Sequence, residues 1–288
     1  MRVKGLISVI INYILAAGIC VSVFLGVNAY ASLGDLGEPR SSYNLGSAKI
    51  LEGKNIIVSV FVDTPSFKWS DDDMKKSLNN LDDALVYITK EGEKYNKRFE
   101  FVYDWQDNTD LFYKARLSIN PENTEKFETI LDKRIDGWVN GTIKSAYSKV
   151  QNNQNDEKPN GFDILLKEYN ADNIFMIVYL NCEGRSYAIT YDGIDSVNES
   201  LIFYFDDGNN IAALAHEILH LYGAHDFYRG AEYTDDVVKY IKKKYPNDIM
   251  LTINEDGNIT KSVGELTAYH LGWKGSLEDT KKYPQLCR

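Results

Sequence analysis

Two histidines that lie four residues apart, His216 and His220, constrain this chain of 288 residues more than any other feature of its sequence. They belong to the segment 209–228, in which apolar residues recur at helical spacing. On a helix, residues four apart lie on one face, one turn from each other, so both imidazoles point to the same side. The opposite side of this predicted helix is an apolar stripe, formed by Ile211, Leu214, Ala215, Ile218 and Tyr222. We therefore predict a helix that packs through its apolar stripe and opens its histidine face toward a cleft.

The histidine face carries the residue types of a zinc site. Two imidazoles in this arrangement can reach one ion at the ~2.0–2.1 Å that zinc requires, and three protein ligands leave a fourth position for water. Glu217 is rotated about 100° from His216, which places its carboxylate beside that fourth position, where it can accept a proton from the zinc-bound water. Gly223 can end the helix in a left-handed conformation, and after that turn either Asp226 or His225 could supply a third ligand. The segment therefore predicts one catalytic zinc ion, with Glu217 as its general base.

The spacing of these residues resembles the elongated zinc motif of the metzincin metalloproteases, which in this chain reads His216-Glu217-x-x-His220-x-x-Gly223-x-x-Asp226. The usual third ligand of that family is a histidine, but a minority, such as the small bacterial snapalysins, use an aspartate at the same place. The resemblance thus assigns the role of third zinc ligand to Asp226. His225, one residue earlier, is the alternative third ligand.

The resemblance also implies a fold. It implies an α/β (α+β) catalytic domain over 54–288, with a twisted, mostly parallel sheet, long helices, the active-site helix and a small irregular C-terminal subdomain. Met250 follows a turn signal and is the candidate for the tight methionine turn that metzincins place beneath their zinc ligands. The strand predicted at 201–205 resembles the sheet-edge strand that binds extended substrate by strand addition. Residues 266–273 would form the closing helix, packed against the active-site helix.

A few residues outside the motif are weaker candidates for contact with substrate. His270 could contact substrate or an oxyanion, although a histidine between Tyr269 and Leu271 is more often packed in a core. Tyr269 is a second candidate for substrate binding, and Tyr222 and Tyr228 are further candidate donors to a transition state. Sequence alone does not choose among them.

Elsewhere the chain alternates between predicted strands and predicted helices. Apolar or alternating runs predict strands at 56–62, 98–105, 173–180, 186–191 and 201–205. Helical spacing of apolar residues predicts two further helices, at 70–95 and 124–150. The polar stretch 150–161 is expected to be a loop. This order of elements is typical of an α/β or α+β domain.

The first 31 residues predict export. Arg2 and Lys4 precede an apolar run at 5–27, and a small-x-small pattern suited to signal peptidase follows at 29–31. The run exceeds the ~7–15 residues of an ordinary signal core, so an uncleaved membrane anchor stays open as an alternative to a signal peptide. Residues 32–53 are expected to be a linker. The domain after it would be extracytoplasmic, either secreted or anchored to the membrane.

Composition limits the partners. A formal net charge of -10 argues against nucleic acid, since phosphate binding needs a basic surface. Beyond residue 31 the cysteines are Cys182 and Cys287, which could form a disulfide or remain free thiols, and neither has metal-ligand spacing. The expected partner is a protein or peptide substrate, and contact with a membrane is expected only through the N-terminal segment.

The leading interpretation is a zinc metalloendopeptidase, a hydrolase that cleaves peptide bonds with a water activated by zinc and Glu217. One alternative is a thermolysin-like site whose third ligand is a glutamate from a later helix, Glu232 or Glu265. The other is an exported zinc-binding or adhesion module that no longer turns over substrate. The intact Glu217 argues against that module, which would need the ligands but not the general base.

Overall fold

The described part of the chain combines a six-stranded, mostly parallel sheet with α-helices, which is an α/β fold. The structure is a computed structural model, and the residues it describes are 46–48, 50–103, 111–118, 120, 135, 137–148, 160–182, 184–190, 199–204, 211–228, 233–253 and 257–287. The chain divides into two compact units. The larger unit spans Pro39–Leu277, and the described part of the smaller unit is 278–287.

The sheet and most helices belong to the larger unit. Its described elements, in chain order, are β1 (Gly53–Asp63), α1 (Asp71–Glu93), β2 (Phe99–Val102), β3 (Phe112–Arg116), α2 (Gly137–Ser148), α3 (Gly161–Glu168), β4 (Asn173–Leu180), β5 (Tyr187–Ile189), β6 (Glu199–Tyr204), α4 (Ile211–Leu221), α5 (Asp235–Lys244) and α6 (Glu265–His270). The described part of the smaller unit consists of α7 (Asp279–Lys282) and a 3-10 turn (Pro284–Cys287).

β1 and β4 form the centre of the sheet because both are apolar on both faces. Every residue of β4 is buried, and so are the residues of β1 from 57 to 62. The two strands pair in parallel, from Asn55 opposite Asn173 to Val62 opposite Leu180. Strands that are buried on both faces are typical of parallel sheets covered by helices. The predicted strands at 56–62 and 173–180 are confirmed.

The order of the strands corrects the expected substrate edge. The order is β2-β1-β4-β6-β5, with β3 also paired to β1. β6 pairs in parallel with β4 and antiparallel with β5, so it lies inside the sheet. The prediction that 201–205 is the edge strand is therefore wrong. Strands that follow each other in sequence can pair antiparallel without a crossover, and the preceding strand β5 covers β6 in this way. β5 is the outer strand at this end of the described sheet, and β2 stands at the other end of the order.

α1 confirms the helix predicted at 70–95. Its N-cap is Ser70, whose side chain accepts a hydrogen bond of 3.1 Å from the amide of Asp73. Such a cap satisfies an amide that has no partner within the helix, and acids in the first turn suit the helix dipole. One face of the helix is buried through the apolar side chains of Met74, Leu78, Leu81, Ala84, Leu85 and Ile88. That face packs against α4.

Five described elements are not predicted by the sequence: β3, α3, α5, α7 and the 3-10 turn. α3 begins where the predicted loop ends, and its N-cap Asn160 accepts a hydrogen bond of 3.0 Å from the amide of Phe162. An eight-residue helix shows little periodicity, and capping decides where it begins. The helix predicted at 124–150 is described over Gly137–Ser148, while 121–134, 149–159 and the signal or anchor segment 1–31 lie outside the described residues.

The end of the expected linker is packed against the sheet. Leu51 has no exposed surface, and the carbonyl of Ser47 accepts a hydrogen bond of 3.0 Å from the amide of Ile174 in β4. The domain therefore begins before residue 54 in the described part of the chain. Among the described helices, none combines the length and apolar character that crossing a membrane requires.

Cys182 and Cys287 are both buried, and no disulfide joins them. Of the two alternatives that the sequence leaves open for these cysteines, the structure therefore has the one without a disulfide.

Candidate metal centre

α4 carries the two histidines and is fixed by its apolar stripe. Leu214, Ala215 and Ile218 have no exposed surface, and the helix packs against α1. One residue beyond the helix, the hydroxyl of Tyr222 donates a hydrogen bond of 2.9 Å to Asn55 Oδ1 in β1. The predicted packing of the helix is confirmed. Tyr222, one of the candidate donors to a transition state, is occupied in joining the helix to the sheet.

The exposed part of α4 is narrow. Within 212–221, the side chains that keep partial exposure are those of Glu217 and His220, while His216 is 8% exposed. The remaining side chains of this stretch are apolar and buried. The opening toward solvent is therefore restricted to the part of the helix that carries the candidate general base and one candidate ligand.

Gly223 ends the helix as predicted. Its φ is 97°, in the left-handed region where residues with a Cβ are strained. The amide of Gly223 donates to the carbonyl of His220 at 3.0 Å, and the amide of Ala224 donates to the carbonyl of Leu219 at 3.1 Å. These bonds satisfy carbonyls at the end of the helix and reverse the chain. The reversal brings Asp226 back to the imidazoles.

Three side-chain atoms converge at the reversal. His216 Nε2 lies 3.1 Å from His220 Nε2 and 3.1 Å from Asp226 Oδ1, and His220 Nε2 lies 3.4 Å from the same oxygen. Tetrahedral coordination with zinc–ligand distances of ~2.0–2.1 Å places ligand atoms about 3.3–3.4 Å apart. The triangle formed by the three atoms therefore has nearly the edge lengths of a zinc tetrahedron. Among the described residues, His216, His220 and Asp226 form a group able to hold a metal ion.

The hydrogen bonds on the far side of each imidazole decide where its proton lies. His216 Nδ1 is 3.0 Å from the carbonyl oxygen of Ile249, and His220 Nδ1 is 2.7 Å from the carbonyl oxygen of Ala224. A carbonyl only accepts, so both Nδ1 atoms carry hydrogen and, in neutral imidazoles, both Nε2 atoms present lone pairs. Metal-binding histidines are commonly oriented by such partners.

Asp226 Oδ1 completes the set of lone pairs. This oxygen is buried and has no hydrogen-bond donor among the described residues as long as both imidazoles are neutral. Three lone pairs that face one another repel, and either a second proton on an imidazole or a cation among the three atoms removes the repulsion. The donor set, two imidazole nitrogens and one carboxylate oxygen, therefore fits a divalent metal such as zinc.

The pKa values of these groups reflect the same charge balance. Burial raises the pKa of Asp226, but the imidazoles of His216 and His220, once protonated, donate hydrogen bonds to its carboxylate, as the hydroxyl of Tyr228 does, and these bonds hold the pKa well below its ordinary value. Burial lowers the pKa of His220, but Asp226 and Glu217 outweigh it and raise the pKa above its ordinary value. The carboxylates of Asp226 and Glu217 therefore favour a positive charge at the place where the two imidazoles and Asp226 Oδ1 converge.

Glu217 lies on the partly exposed side of α4, next to the candidate ligand His216 along the chain. Burial raises the pKa of Glu217 above its ordinary value, against the lowering effect of His216 and His220. A carboxylate whose pKa is raised binds a proton more readily at neutral pH, which is the property of a general base that must also return the proton.

A tyrosine and an arginine support Asp226 from outside the group. The hydroxyl of Tyr228 donates a hydrogen bond of 2.5 Å to Asp226 Oδ2, and Arg185 Nη2 donates one of 3.0 Å to the hydroxyl oxygen of Tyr228. The sequence predicts Tyr228 only as one of several candidate donors to a transition state. Arg185 was missed, because it lies 43 positions from Tyr228 and belongs to no motif.

The turn that contains Met250 lies against residues 216–227, the segment that carries the candidate ligands (the ligand segment). The carbonyl of Met250 accepts a hydrogen bond of 2.9 Å from the amide of Phe227, which follows Asp226, and the carbonyl of Ile249 is the partner of His216. The Met250 side chain has no exposed surface. The predicted methionine turn is therefore a neighbour of the candidate ligands, on the side away from solvent.

The remaining candidates lie in the core. The ring of His225 is buried and lies 5.1 Å from the ring of His270, and His225 is not a member of the group formed by His216, His220 and Asp226. Tyr269 and His270 in α6 have no exposed surface, and a role of either in substrate binding stays a prediction. The predicted helix at 266–273 is observed as Glu265–His270, and His270 packs on Phe227, with ring centroids 5.7 Å apart.

Glu265, one of the two glutamates of the thermolysin-like alternative, is not a member of the group formed by His216, His220 and Asp226. Glu265 is exposed and forms an ion pair of 3.1 Å with Lys274. Glu232 lies outside the described residues.

Comparisons with known proteins add no relative: no protein-family model matches the sequence, and none of the curated proteins compared with it matches significantly. The site itself combines three convergent side-chain atoms of His216, His220 and Asp226, a partly exposed carboxylate with a raised pKa in Glu217, and two oriented imidazoles.

Proposed function

We propose that this protein is a zinc-dependent endopeptidase with a metzincin-like catalytic site. The observation that carries the proposal is the convergence of His216 Nε2, His220 Nε2 and Asp226 Oδ1 at 3.1–3.4 Å from one another, with Glu217 partly exposed beside them. Two imidazoles and one carboxylate are a typical ligand set of catalytic zinc, which keeps a fourth position open. His216, His220 and Asp226 would hold the ion.

The chemistry follows from the position of each side chain. A zinc ion in this site would polarise the scissile carbonyl and lower the pKa of a water molecule toward neutrality. Glu217 would take a proton from that water as the oxygen attacks the carbonyl carbon, and would then give the proton to the nitrogen of the leaving amine. The raised pKa of Glu217 supports both transfers. The carbonyls of Ile249 and Ala224 would keep both imidazoles in the tautomer that binds metal.

An extended peptide as the substrate is supported by the position of the sheet edge. β5, the outer strand at one end of the described sheet, packs against α4. An extended chain can add to such an edge through main-chain hydrogen bonds, and its scissile bond would then lie near the exposed side of α4. The metzincin-like assignment is further supported by the fully buried Met250, whose carbonyl binds the amide that follows Asp226.

The proposal is tested on the purified protein and the variant Glu217→Ala. Bound zinc is quantified by atomic absorption, and cleavage of an unfolded protein substrate is measured with and without a chelator. We expect one zinc per chain in both proteins, and cleavage by the wild type that the chelator abolishes. Because Glu217 is not a ligand in this proposal, the variant should keep zinc and lose about 100- to 10,000-fold in kcat/KM.

Measurements of zinc content and cleavage also distinguish the alternative functions and the alternative third ligand. Zinc binding without cleavage of any substrate in a broad panel would favour the exported zinc-binding module. A wild-type protein that binds no zinc would contradict the proposal. Loss of zinc in Glu265→Ala, but not in Asp226→Ala, would indicate the thermolysin-like ligand set.

A further inference from the structure

Asp248 is a buried carboxylate outside the group formed by His216, His220 and Asp226. It is 1% exposed and belongs to the turn signal that precedes Met250 in the sequence. Its Oδ1 accepts hydrogen bonds from the amide of Met250 at 2.9 Å and from the hydroxyl of Thr267 at 2.7 Å. Its Oδ2 accepts from the amide of Gly264 at 3.2 Å. A buried charge is retained only where several donors compensate its desolvation, and this carboxylate meets that condition.

These bonds join two segments that are distant in sequence. One is the turn 248–250, and the other is the start of α6, whose N-cap Gly264 has no side chain with which to cap the helix. The carboxylate of Asp248 supplies that cap from the other segment. A Cβ placed on Gly264 would lie 2.4 Å from Asp248 Oδ2, so glycine at this position is what lets the carboxylate reach the backbone.

The turn held by Asp248 supplies two consecutive carbonyls to the ligand segment. The carbonyl of Ile249 binds His216 Nδ1 at 3.0 Å, and the carbonyl of Met250 binds the amide of Phe227 at 2.9 Å. The first bond sets the tautomer and the ring orientation of His216. The second holds the backbone next to Asp226. Two of the three candidate ligands thus depend on the position of the turn.

The turn is also held from α1 by way of residues 261–263. The amide of Ile249 donates to the carbonyl of Ser262 at 2.9 Å, and the amide of Val263 donates to Glu91 Oε2 at 3.0 Å. The hydroxyl of Tyr95 donates to the carbonyl of Val263 at 2.9 Å. The turn that Asp248 holds is therefore also hydrogen-bonded, through residues 261–263, to Glu91 of α1 and to Tyr95 just beyond it.

We propose that Asp248 is a positioning residue that sets the metal affinity of the site by holding the carbonyls of Ile249 and Met250 against the ligand segment. A carboxylate suits this task because it only accepts and so serves three donors at once. Asparagine would turn an NH2 group toward one of these donors and break that bond. The inference rests on the part of the proposed function that assigns a metal to His216, His220 and Asp226.

The test compares three single substitutions in the full chain: Asp248→Asn, Gly264→Ala and the control Asp236→Asn. Gly264→Ala leaves Asp248 in the sequence but displaces its carboxylate. Asp236 is an exposed acid in α5, so its replacement removes a charge without touching the turn. For each protein, zinc affinity is measured by competition with a chromogenic chelator, and unfolding by urea is measured in the presence of EDTA. The absorption spectrum of the cobalt(II) form reports the coordination geometry.

We expect Asp248→Asn and Gly264→Ala to weaken zinc binding about 10- to 100-fold, the range found when outer partners of metal ligands are lost. Both should alter the cobalt spectrum, and Asp236→Asn should change neither. If Asp248→Asn does not fold, Gly264→Ala decides alone. Lower stability in urea combined with wild-type zinc affinity and an unchanged cobalt spectrum would overturn the proposal, since Asp248 would then only stabilise the fold.

The outcome separates this inference from the proposed function. Weakened metal binding in both variants, together with a wild-type protein that binds zinc but cleaves nothing, would support the role of Asp248 and refute the peptidase. A wild-type protein without zinc affinity would refute both. Normal cleavage and normal zinc affinity in both variants would refute only the role of Asp248.

Discussion

His216 Nε2 lies 3.1 Å from Asp226 Oδ1, and each side chain presents a lone pair at that contact when His216 is neutral. A contact between two acceptors is unfavourable by itself. It becomes favourable when a cation lies between the two atoms and His220 Nε2, as a third ligand atom, completes the triangle. This relationship gives the metal assignment a chemical basis that does not depend on the spacing of the motif.

The choice between Asp226 and His225 as third ligand can be tested with a matched pair of substitutions. We expect Asp226→Ala to abolish stoichiometric zinc binding, because it removes one of three ligands and leaves two imidazoles. His225→Ala should keep zinc, because the ring of His225 packs against His270 rather than facing the other two ligands. Equilibrium dialysis with zinc measures both. Loss of zinc in His225→Ala with retention in Asp226→Ala would reverse the assignment.

Tyr228 should contribute to metal affinity through Asp226. Tyr228→Phe removes the donor to Asp226 Oδ2 while keeping the ring, so we expect zinc binding to weaken about 10-fold. Arg185→Gln should have a smaller effect, because Arg185 is exposed and its hydrogen bond goes to the tyrosine hydroxyl rather than to Asp226. Chelator competition measures both variants. A larger effect of Arg185→Gln than of Tyr228→Phe would contradict this order.

Asp248 should leave a signature in the dependence of stability on pH. Burial raises the pKa of Asp248 to about 6 from an ordinary value of 3.8, although hydrogen bonds with Thr267, Met250 and Gly264 oppose the shift. A folded-state pKa above the unfolded value means that the contribution of this group to stability is fully present below about pH 4 and is lost as pH rises through about 6. One pKa unit corresponds to about 1.4 kcal/mol, so the loss is on the order of 3 kcal/mol.

The measurement is the free energy of unfolding in urea, with EDTA present, between pH 4 and pH 7.5. Other groups titrate in this range, so the relevant quantity is the difference between the wild type and Asp248→Asn. We expect the free energy of unfolding of the wild type to fall relative to that of Asp248→Asn as pH rises, since asparagine does not ionise. A difference that stays constant across the range would show that Asp248 has the same pKa in the folded and unfolded chain.

Gly223 should resist substitution. Gly223→Ala places a Cβ at a φ of 97°, where a residue other than glycine loses about 1–2 kcal/mol, and the same change disturbs the reversal that brings Asp226 to the imidazoles. We expect lower stability in urea together with weaker zinc binding. Gly275→Ala is the control, because a Cβ at Gly275 meets no atom within 4 Å, and its effect should stay within about 0.5 kcal/mol. Equal effects of the two substitutions would contradict the role of Gly223.

The parts of the fold that sequence predicted are those in which one physical signal dominates. β1 and β4 are continuous apolar runs, α1 has a cap and a long apolar face, and the end of α4 is marked by Gly223. In each case local chemistry and tertiary packing agree. The short β3 and α3 carry only a few residues of pattern each, so tertiary contacts decide their structure.

The parts of the site that sequence did not predict depend on contacts between distant residues. Asp248 lies 16 and 19 positions from Gly264 and Thr267, and Arg185 lies 43 positions from Tyr228. The place of β6 inside the sheet depends on which strand pairs with its outer side, and its own residues do not encode that choice. Spacing within one helix and one turn predicted the candidate ligands; the groups that orient them are brought close only by the folded chain.

The three candidate ligands all come from the short segment 216–226, whereas the carbonyl that orients His216 comes from residue 249. Closing so short a loop costs little entropy, so an unfolded chain could already capture a metal ion with these side chains, although loosely. An ion that also binds the unfolded chain stabilises the fold by less than its affinity for the folded site suggests. The metal affinity that folding adds would then come chiefly from the oriented imidazole of His216 and from the backbone held next to Asp226.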